Sequence, residues 1–429
     1  MPAIVVIGGQ WGDEGKGRIV DLLGRNARIV ARYSAGSNAG HTIVNPLGKF
    51  VLHLVPAGIF YPDKVCLIGN GVVVDPPTLI EEIDNLASHG IGVDRLFVSD
   101  RAHVVMPYHR LIDQLDERRR GAAAIGTTGR GVGPCFVDKV GRMGLRVGDL
   151  VNPAALRQRL SFVLPFKNEL LTRVYGAEPL DLEAMLEEYG AYGERLAPFV
   201  RDTAPIVHEA LRAGETVLLE GAQGALLDLD AGTYEFVTSS VPSSSAGGAG
   251  IGIGIGPTDI EKVVGVYKAY NTRVGNGPMP SELLDETGKI LRLEGQEFGA
   301  TTGRPRRCGW FDAVASRYSA MVNGVTHAVL TRLDVLDKFP ALSICVRYRL
   351  DGREIDTLPA SVADMQRAEP VWEELPGWQR PTCHIRRFQD LPPQARAYVQ
   401  RIEELLDVPI VIVSVGPERD QAIIVNELF

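Results

Sequence analysis

Two glycine-rich runs near the start of this 429-residue chain carry groups suited to handling a phosphate. The first, Gly8-Gly9-Gln10-Trp11-Gly12-Asp13-Glu14-Gly15-Lys16-Gly17, follows the apolar stretch Ala3–Ile7 and opens a helical pattern over Gly15–Leu23. Strand, glycine loop, lysine and helix make a phosphate cradle, in which bare amides and a helix N-terminus face the anion and Lys16 adds a point charge. The loop departs from the standard pattern at two places. Gln10 stands where a glycine is usual, and Gly17 stands where a magnesium-binding hydroxyl is usual. Asp13 is the informative anomaly, because a carboxylate repels phosphate unless a cation bridges the two or a proton has to be taken up there. It is a candidate magnesium ligand, a general base, or both. The plainer alternative is that Asp13 and Glu14 simply favour a helix N-terminus.

The second run, Asn38-Ala39-Gly40-His41-Thr42, lies beyond the apolar stretch ending at Tyr33. A histidine on such a loop can donate a proton to developing negative charge, with Asp13 as its basic counterpart. Taken alone, a loop histidine is more often only a surface or hydrogen-bonding residue. The densest basic cluster is Ala300-Thr301-Thr302-Gly303-Arg304-Pro305-Arg306-Arg307. Guanidinium forks match carboxylates in a bidentate way, although a solvated basic turn would have the same composition.

These groups must be positioned by regular elements. β-Branched apolar runs recur at Ala3–Ile7, Arg28–Tyr33, Lys64–Ile68, Arg95–Val98, Thr216–Leu219, Ala328–Leu330, Ala341–Tyr348 and Val408–Val413. Helical patterns lie between several of them, at Pro77–Ser88, Met106–Arg119, Leu182–Tyr192, Pro198–Arg212, Phe311–Val322 and Pro393–Leu406. The alternation predicts an α/β fold with a mostly parallel central sheet flanked by helices and ligands at the carboxyl ends of its strands. Residues 151–205 read as a helical excursion from that sheet. The Ser/Gly run Ser243–Gly256 is either a flexible linker or, preferably, a backbone-donor loop beside a ligand.

Composition narrows the classes. The chain is 45% hydrophobic and 23% charged, enough for a packed core. A net charge of -8 gives no sign of a chain that wraps nucleic acid or lies on an anionic membrane, so any anionic ligand must be held by local cations. Five scattered cysteines without paired spacing point to a reducing compartment, and the start of the chain has no basic leader. A soluble cytoplasmic protein is expected.

The ordered motifs resemble those of the adenylosuccinate synthetase family. They are Gln10–Gly17, Asn38–Thr42, Gly126–Gly133, Glu220–Leu227, Asp230–Thr233, Val237–Ser240, Thr272–Gly275, Ala300–Arg304, Arg306–Trp310 and Thr331–Asp337, and the likeness spans the chain as one domain, 1–429. The resemblance implies a P-loop-NTPase-like fold with smaller helical and loop subdomains. It implies a ligase that uses GTP to phosphorylate the six-oxygen of inosine monophosphate (IMP) and then joins L-aspartate there. It further implies that Asp13 removes the ring proton and holds Mg2+, with the Gly40 carbonyl as a second ligand. His41 then acts on the oxygen between the two phosphates, with Gln223 as a third catalytic group.

By the same resemblance, Gly12, Glu14, Gly15, Lys16, Gly17, Gly40, Thr42 and Arg306 face GTP. Asn38, Ala39, Gly40, Thr128, Gln223, Thr238 and Arg304 face IMP, as do Asp13, Lys16 and His41. Ala300, Thr301, Thr302, Gly303, Arg304 and Arg130 hold aspartate. Arg142 reaches across the two-fold axis of a homodimer to the partner's nucleotide. The segment Thr331-Arg332-Leu333-Asp334 follows a strand as a guanine-reading motif does, and Asp334 can accept from two guanine donors that adenine lacks. Arg332 takes a place where the family usually has lysine. Ser414-Val415-Gly416 resembles the loop on the other side of the base. Two rivals remain on composition alone. A GTPase switch would leave the Arg304 cluster without a purpose, and a nucleotide-binding scaffold lacks a basic, aromatic-lined face.

Overall fold

Apolar runs pair into a ten-stranded sheet. In chain order its strands are β1 (Ala3–Gly8), β2 (Ile29–Arg32), β3 (Val65–Ile68), β4 (Leu96–Ser99), β5 (Val200–Arg201), β6 (Val217–Glu220), β7 (Ile260–Lys268), β8 (His327–Thr331), β9 (Ile410–Ser414) and β10 (Ala422–Ile424). Across the sheet the order is β10-β9-β8-β7-β1-β6-β2-β3-β4-β5. Every neighbouring pair is parallel except β9 and β10. The computed structural model describes residues 3–45, 48–242, 250, 252–299 and 303–428.

The central strands are apolar throughout because both faces are covered. Ile4 and Val6 of β1 enter one core with Ile19, Val20, Val30 and Ile68, while Ala3, Val5 and Ile7 enter another with Ala31, Leu67, Val207 and Leu219. The period-two alternation of a strand thus feeds two cores at once. From β1 the chain crosses to β2 on one side, whereas β7 pairs with β1 on the other. This switch point opens a crevice at the carboxyl ends, where ligands bind in sheets of this kind.

The excursion after residue 151 folds as helices Pro153–Glu169 and Leu182–Leu196, whose Leu156, Leu160, Val163, Met185 and Tyr189 extend the first core. It ends differently from expectation. Val200 and Arg201 pair with Val98 and Ser99 at the sheet edge, so the helix expected over Pro198–Arg212 starts only at Thr203. The run expected at Ala341–Tyr348 forms a strand, Ala341–Leu350, outside the central sheet. It pairs instead with Phe311–Asp312, Arg353–Ile355 and Glu369–Pro376. β7 escaped the pattern because Glu261, Lys262 and Lys268 interrupt its apolar run. Of the Ser/Gly run, residues 243–249 and 251 lie outside the described residues; just beyond them, the Gly252 carbonyl accepts from the Gly71 amide at 2.9 Å. Among the described residues no helix is long and apolar enough to cross a membrane.

Candidate active site

Six loops meet here: those after β1, β2, β6, β8 and β9 at the carboxyl ends of the strands, and the one that carries Arg306 after helix Glu286–Glu294. The loop after β1 ends where helix Lys16–Gly24 begins. Gly12 and Gly15 have φ of 89° and 88°, a left-handed geometry open to glycine at little cost, and Asp13 between them takes φ 60°. Gln10 is explained by its partners. Its amide bridges to the neighbouring strand end, accepting from the Lys268 amide at 2.9 Å and donating to the Lys268 carbonyl at 3.2 Å. Glu14 is fully buried and turned inward. Its carboxylate accepts from the Gln10 amide at 3.1 Å and the Gly12 amide at 2.8 Å, and it pairs with Lys16 Nζ at 2.6 Å. An anion of the chain's own therefore satisfies part of the cradle.

Asp13 points outward instead, its side chain 39% exposed, and its Oδ2 lies 2.7 Å from Arg306 Nε. The basic cluster thus reaches back to the phosphate loop through Arg306, which also donates to Glu297 Oε2 at 2.7 Å. Within that cluster Gly303 takes φ 63° and its amide donates to the Gly299 carbonyl, while the Gly299 amide donates to Arg304 O; both bonds are 2.8 Å. Ala300, Thr301 and Thr302 lie outside the described residues.

His41 opens the strand His41–Asn45 and is buried. Its Nδ1 pairs with Glu220 Oε1 at the end of β6. Glu220 is also fully buried, takes the Ala57 amide on Oε2 at 2.8 Å, and has Arg32 Nη1 3.7 Å from Oε1. Burial pushes the His41 imidazole down, against the pull of Glu220. Burial would push the Glu220 carboxyl up, but His41, Arg32 and the Ala57 amide outweigh it and hold it below the usual range. Glu220 therefore stays a carboxylate, which can only accept, so His41 Nδ1 carries the hydrogen between them. Nε2 can act as a donor only after gaining a second proton, which the Glu220 charge favours once an anion arrives.

The position of His41 also accounts for Gly17. A Cβ at residue 17 would stand 2.8 Å from His41 Cβ, so the site of the usual hydroxyl is occupied by the histidine's backbone and side chain.

The remaining loops close on these. Ala39 packs with Ala222, joining the loop after β2 to the loop after β6. Gln223, at φ 54°, accepts from Ser240 Oγ at 3.4 Å, and Thr238 Oγ1 lies 3.4 Å from the same hydroxyl. Arg130 Nη1 donates to the Ser37 carbonyl at 3.0 Å, bringing the segment of exposed Thr128 to the Asn38 loop. Among the described residues, Asn38 Oδ1 and Gln223 Nε2 are buried without a hydrogen-bond partner, two polar atoms that a ligand would satisfy. Thr42 continues the strand opened by His41. Arg142 lies elsewhere, exposed on the turn after helix Val132–Val140, its carbonyl accepting from Arg159 Nη2 at 2.5 Å.

On the other side of β1, Thr331 Oγ1 donates to the Glu14 carbonyl at 2.6 Å. Arg332 follows at φ 65°, and Leu333 and Asp334 start a short 3-10 turn. Asp334 Oδ1 is buried with no hydrogen-bond partner among the described residues, and burial pushes its carboxyl up. Arg18 Nη1 donates to Ser414 Oγ and the Gly416 carbonyl, so the phosphate helix holds the loop after β9, with buried Val415 between those two partners. Burial holds the Arg18 guanidinium down to about 10 against the pull of Asp334 and Asp420.

The geometry thus offers a phosphate loop with an outward carboxylate, a carboxylate-backed imidazole, and an acceptor pocket at Asp334. Asp13 and the Gly40 carbonyl are hard oxygen donors. A magnesium ion takes one or two carboxylates and completes its shell with phosphates and water, so this sparse donor set fits it. Glu220, Arg18 and Glu297 have no distinguishing pattern in the sequence, and only Glu220 lies in a recognised motif.

The family model for adenylosuccinate synthetase matches residues 5–423. An adenylosuccinate synthetase of Heliobacterium modesticaldum is 54% identical over 429 residues, covering 100% of both chains. One from Thermomicrobium roseum is 53% identical over 423 residues, 98% of each chain. The fully ligated adenylosuccinate synthetase of Plasmodium falciparum superposes with a TM-score of 0.93 at 37% identity, covering 99% of this chain and 100% of that one. With a family match over nearly its whole length and relatives above half identity, the chain belongs to the adenylosuccinate synthetase family.

Proposed function

We propose that the six loops divide the family's reaction, the GTP-dependent ligation of aspartate to IMP, among the residues just described. The observation that carries this reading is His41, backed by buried Glu220 and packed on Gly17 at the mouth of a phosphate loop that also presents Asp13. GTP lies with its base against Asp334, whose unpartnered oxygen accepts from guanine, between Arg332–Leu333 and Ser414–Gly416. Its phosphates meet Gly12–Gly17, Gly40 and Thr42. IMP occupies the space between Asn38, Ala39, Thr128, Gln223, Thr238 and Arg304. Aspartate is held by Arg304, Arg130 and the Ala300–Gly303 segment.

Chemically, the six-oxygen of IMP is a poor leaving group, so it is phosphorylated before the amine attacks. Asp13 takes the purine ring proton, which concentrates charge on that oxygen. His41, protonated at Nε2 as the anions arrive and steadied by Glu220, stabilises the oxygen between the phosphates. The Gln223 amide holds the purine. Aspartate then attacks carbon six, the phosphate leaves, and adenylosuccinate, GDP and phosphate result. Positioning and electrostatics supply the rate, as in other phosphoryl transfers. Mg2+, when bound by Asp13 and Gly40, supplies charge neutralisation on the phosphates.

A homodimer is part of the reading, with Arg142 serving the partner's nucleotide. Supporting it, Val137 and Val140 on the helix before Arg142 are 70% and 79% exposed, and Phe162 and Phe166 stand out from the helix that carries Arg159. Apolar groups so exposed commonly mark an interface. We place the enzyme in the cytoplasm and take residues 1–429 as one working unit. The test is adenylosuccinate formation with each of the three substrates omitted in turn. Activity must need all three, and GTP hydrolysis without IMP and aspartate would favour a switch protein instead.

A further inference from the structure

Behind the phosphate loop lies a second buried carboxylate that the reaction as drawn does not use. Glu297 follows helix Glu286–Glu294 and is 1% exposed. Its Oε1 accepts from Lys268 Nζ at 2.9 Å and from Tyr270 Oη at 2.5 Å, and its Oε2 accepts from Arg306 Nη1 at 2.7 Å. Arg332 Nη2 stands 4.0 Å from Oε1 and donates to the Gly295 carbonyl two residues earlier. Burial would push this carboxyl up, yet the three cations outweigh it and draw it down to about 2, so it stays charged at any working pH.

Each partner leads to a different part of the site. Arg306 turns its Nε to Asp13 Oδ2 at 2.7 Å. Arg332 heads the turn that carries Asp334. Lys268 ends β7, and its amide donates to Gln10, the anchor of the phosphate loop. The same residue also fixes the start of the basic segment through its backbone, because the Arg306 amide donates to the Glu297 carbonyl at 2.9 Å.

From this juxtaposition we infer that Glu297 is a positioning residue, setting Arg306 against Asp13 and Arg332 beside the guanine turn from one buried point. It holds the base-reading turn and the phosphate loop at a fixed separation, so that GTP binding and Asp13 orientation are coupled through it. The inference rests on the assignment of guanine nucleotide to the Asp334 side. A buried carboxylate surrounded by three cations cannot be replaced by a neutral amide without releasing at least one of them.

The test uses the full chain with Glu297→Gln. A fluorescent GDP analogue titrated against the wild type and the variant reads nucleotide affinity directly, and steady-state assays separate KM from kcat. The expected result is a rise of at least tenfold in Kd for the GDP probe and in KM for GTP. A fall of at least tenfold in kcat should accompany it, with KM for IMP within threefold of wild type because the contacts of Glu297 lie away from the Asn38 and Gln223 loops. Wild-type values throughout would overturn the inference. Failure of the wild type to bind the probe would instead overturn the guanine assignment itself.

Because loss of the carboxylate leaves a cluster of buried cations that can unfold the chain, Lys268→Met/Glu297→Gln is the second variant. The double substitution is expected to restore Tm while leaving the Kd and kcat defects in place. Recovery of both would mean that Glu297 only neutralises buried charge, and the positioning role would be lost.

Discussion

Replacing Glu220 with glutamine leaves the side-chain volume almost unchanged and removes one charge from the pair that governs His41. In the native arrangement the carboxylate takes the His41 Nδ1 hydrogen and the Ala57 amide, with Arg32 Nη1 at 3.7 Å. The glutamine amide of the variant can still accept one of these bonds, but it cannot offset a positive imidazole. A hydrogen bond to a charged group in a water-free site is worth about 3–4 kcal/mol in a transition state that needs it. At about 1.4 kcal/mol per decade, kcat for adenylosuccinate formation should fall roughly 10²- to 10³-fold. KM for aspartate should move by less than about threefold, while KM for GTP should rise as kcat falls, since the imidazolium forms as the nucleotide anions arrive. Arg32 must be controlled for. Among the described residues none of its side-chain nitrogens has a hydrogen-bond partner, and Glu220 is the carboxylate it pairs with, so the substitution leaves its buried charge uncompensated. Arg32→Met with Glu220→Gln should recover thermal stability without recovering kcat. A folded Glu220→Gln enzyme with kcat within threefold of wild type would refute the role given to the pair.

Four further outcomes are expected. Gly17→Ala places a methyl 2.8 Å from His41 Cβ, so kcat should drop at least tenfold while binding of a GDP probe changes little. Asp334→Asn should raise KM for GTP by roughly 10²-fold, the value of a charged acceptor facing two donors, with KM for aspartate near wild type. Val140→Glu puts a charge on the exposed apolar patch beside Arg142, and sedimentation should show monomer together with reduced activity. Burial, aided by Lys139 and Arg146, holds the His103 imidazole down from 6.5 to about 4. The unfolded chain therefore takes up a proton that the folded one refuses, and Tm should fall as pH drops from about 6.5 to about 4, less so in His103→Gln.

What the sequence revealed and what it hid divide along chain separation. The phosphate loop, the Asn38–Thr42 run and Thr331–Asp334 are contiguous, and local chemistry suffices to read them. The sheet was legible because β1, β2, β6 and β9 each open on an apolar run buried on both faces. β7 was not, since Glu261 and Lys262 follow its first residue and Gly265 divides the apolar stretch Val263–Tyr267. Arg18 belongs to an early helix, and only the fold brings it to Ser414, 396 positions away. Glu220 lay in a motif but at its edge, and a glutamate at a strand terminus has no local feature that pairs it with His41, 179 positions earlier. Glu297 is the extreme case. Its partners come from three segments, and its meaning is set by burial, which no residue pattern at 294–299 encodes. The Gly17 departure was visible at once, but its cause, the His41 ring beside it, was not.

The place of β1 in the sheet has a consequence for synthesis. Ala3 lies between Val217 and Ile260, so β1 has both of its neighbours encoded roughly two hundred or more residues later. At translation rates of about 5–20 residues per second, the apolar segment Ala3–Gly8 waits roughly ten to forty seconds before it can be paired. Throughout that interval it is an unpaired edge of the kind that recruits chaperones or other nascent chains. The nascent phosphate loop is thus made long before the two strands that fix its position. A chain stalled before Val217 therefore carries the phosphate loop without either of the strands that hold β1 in the sheet.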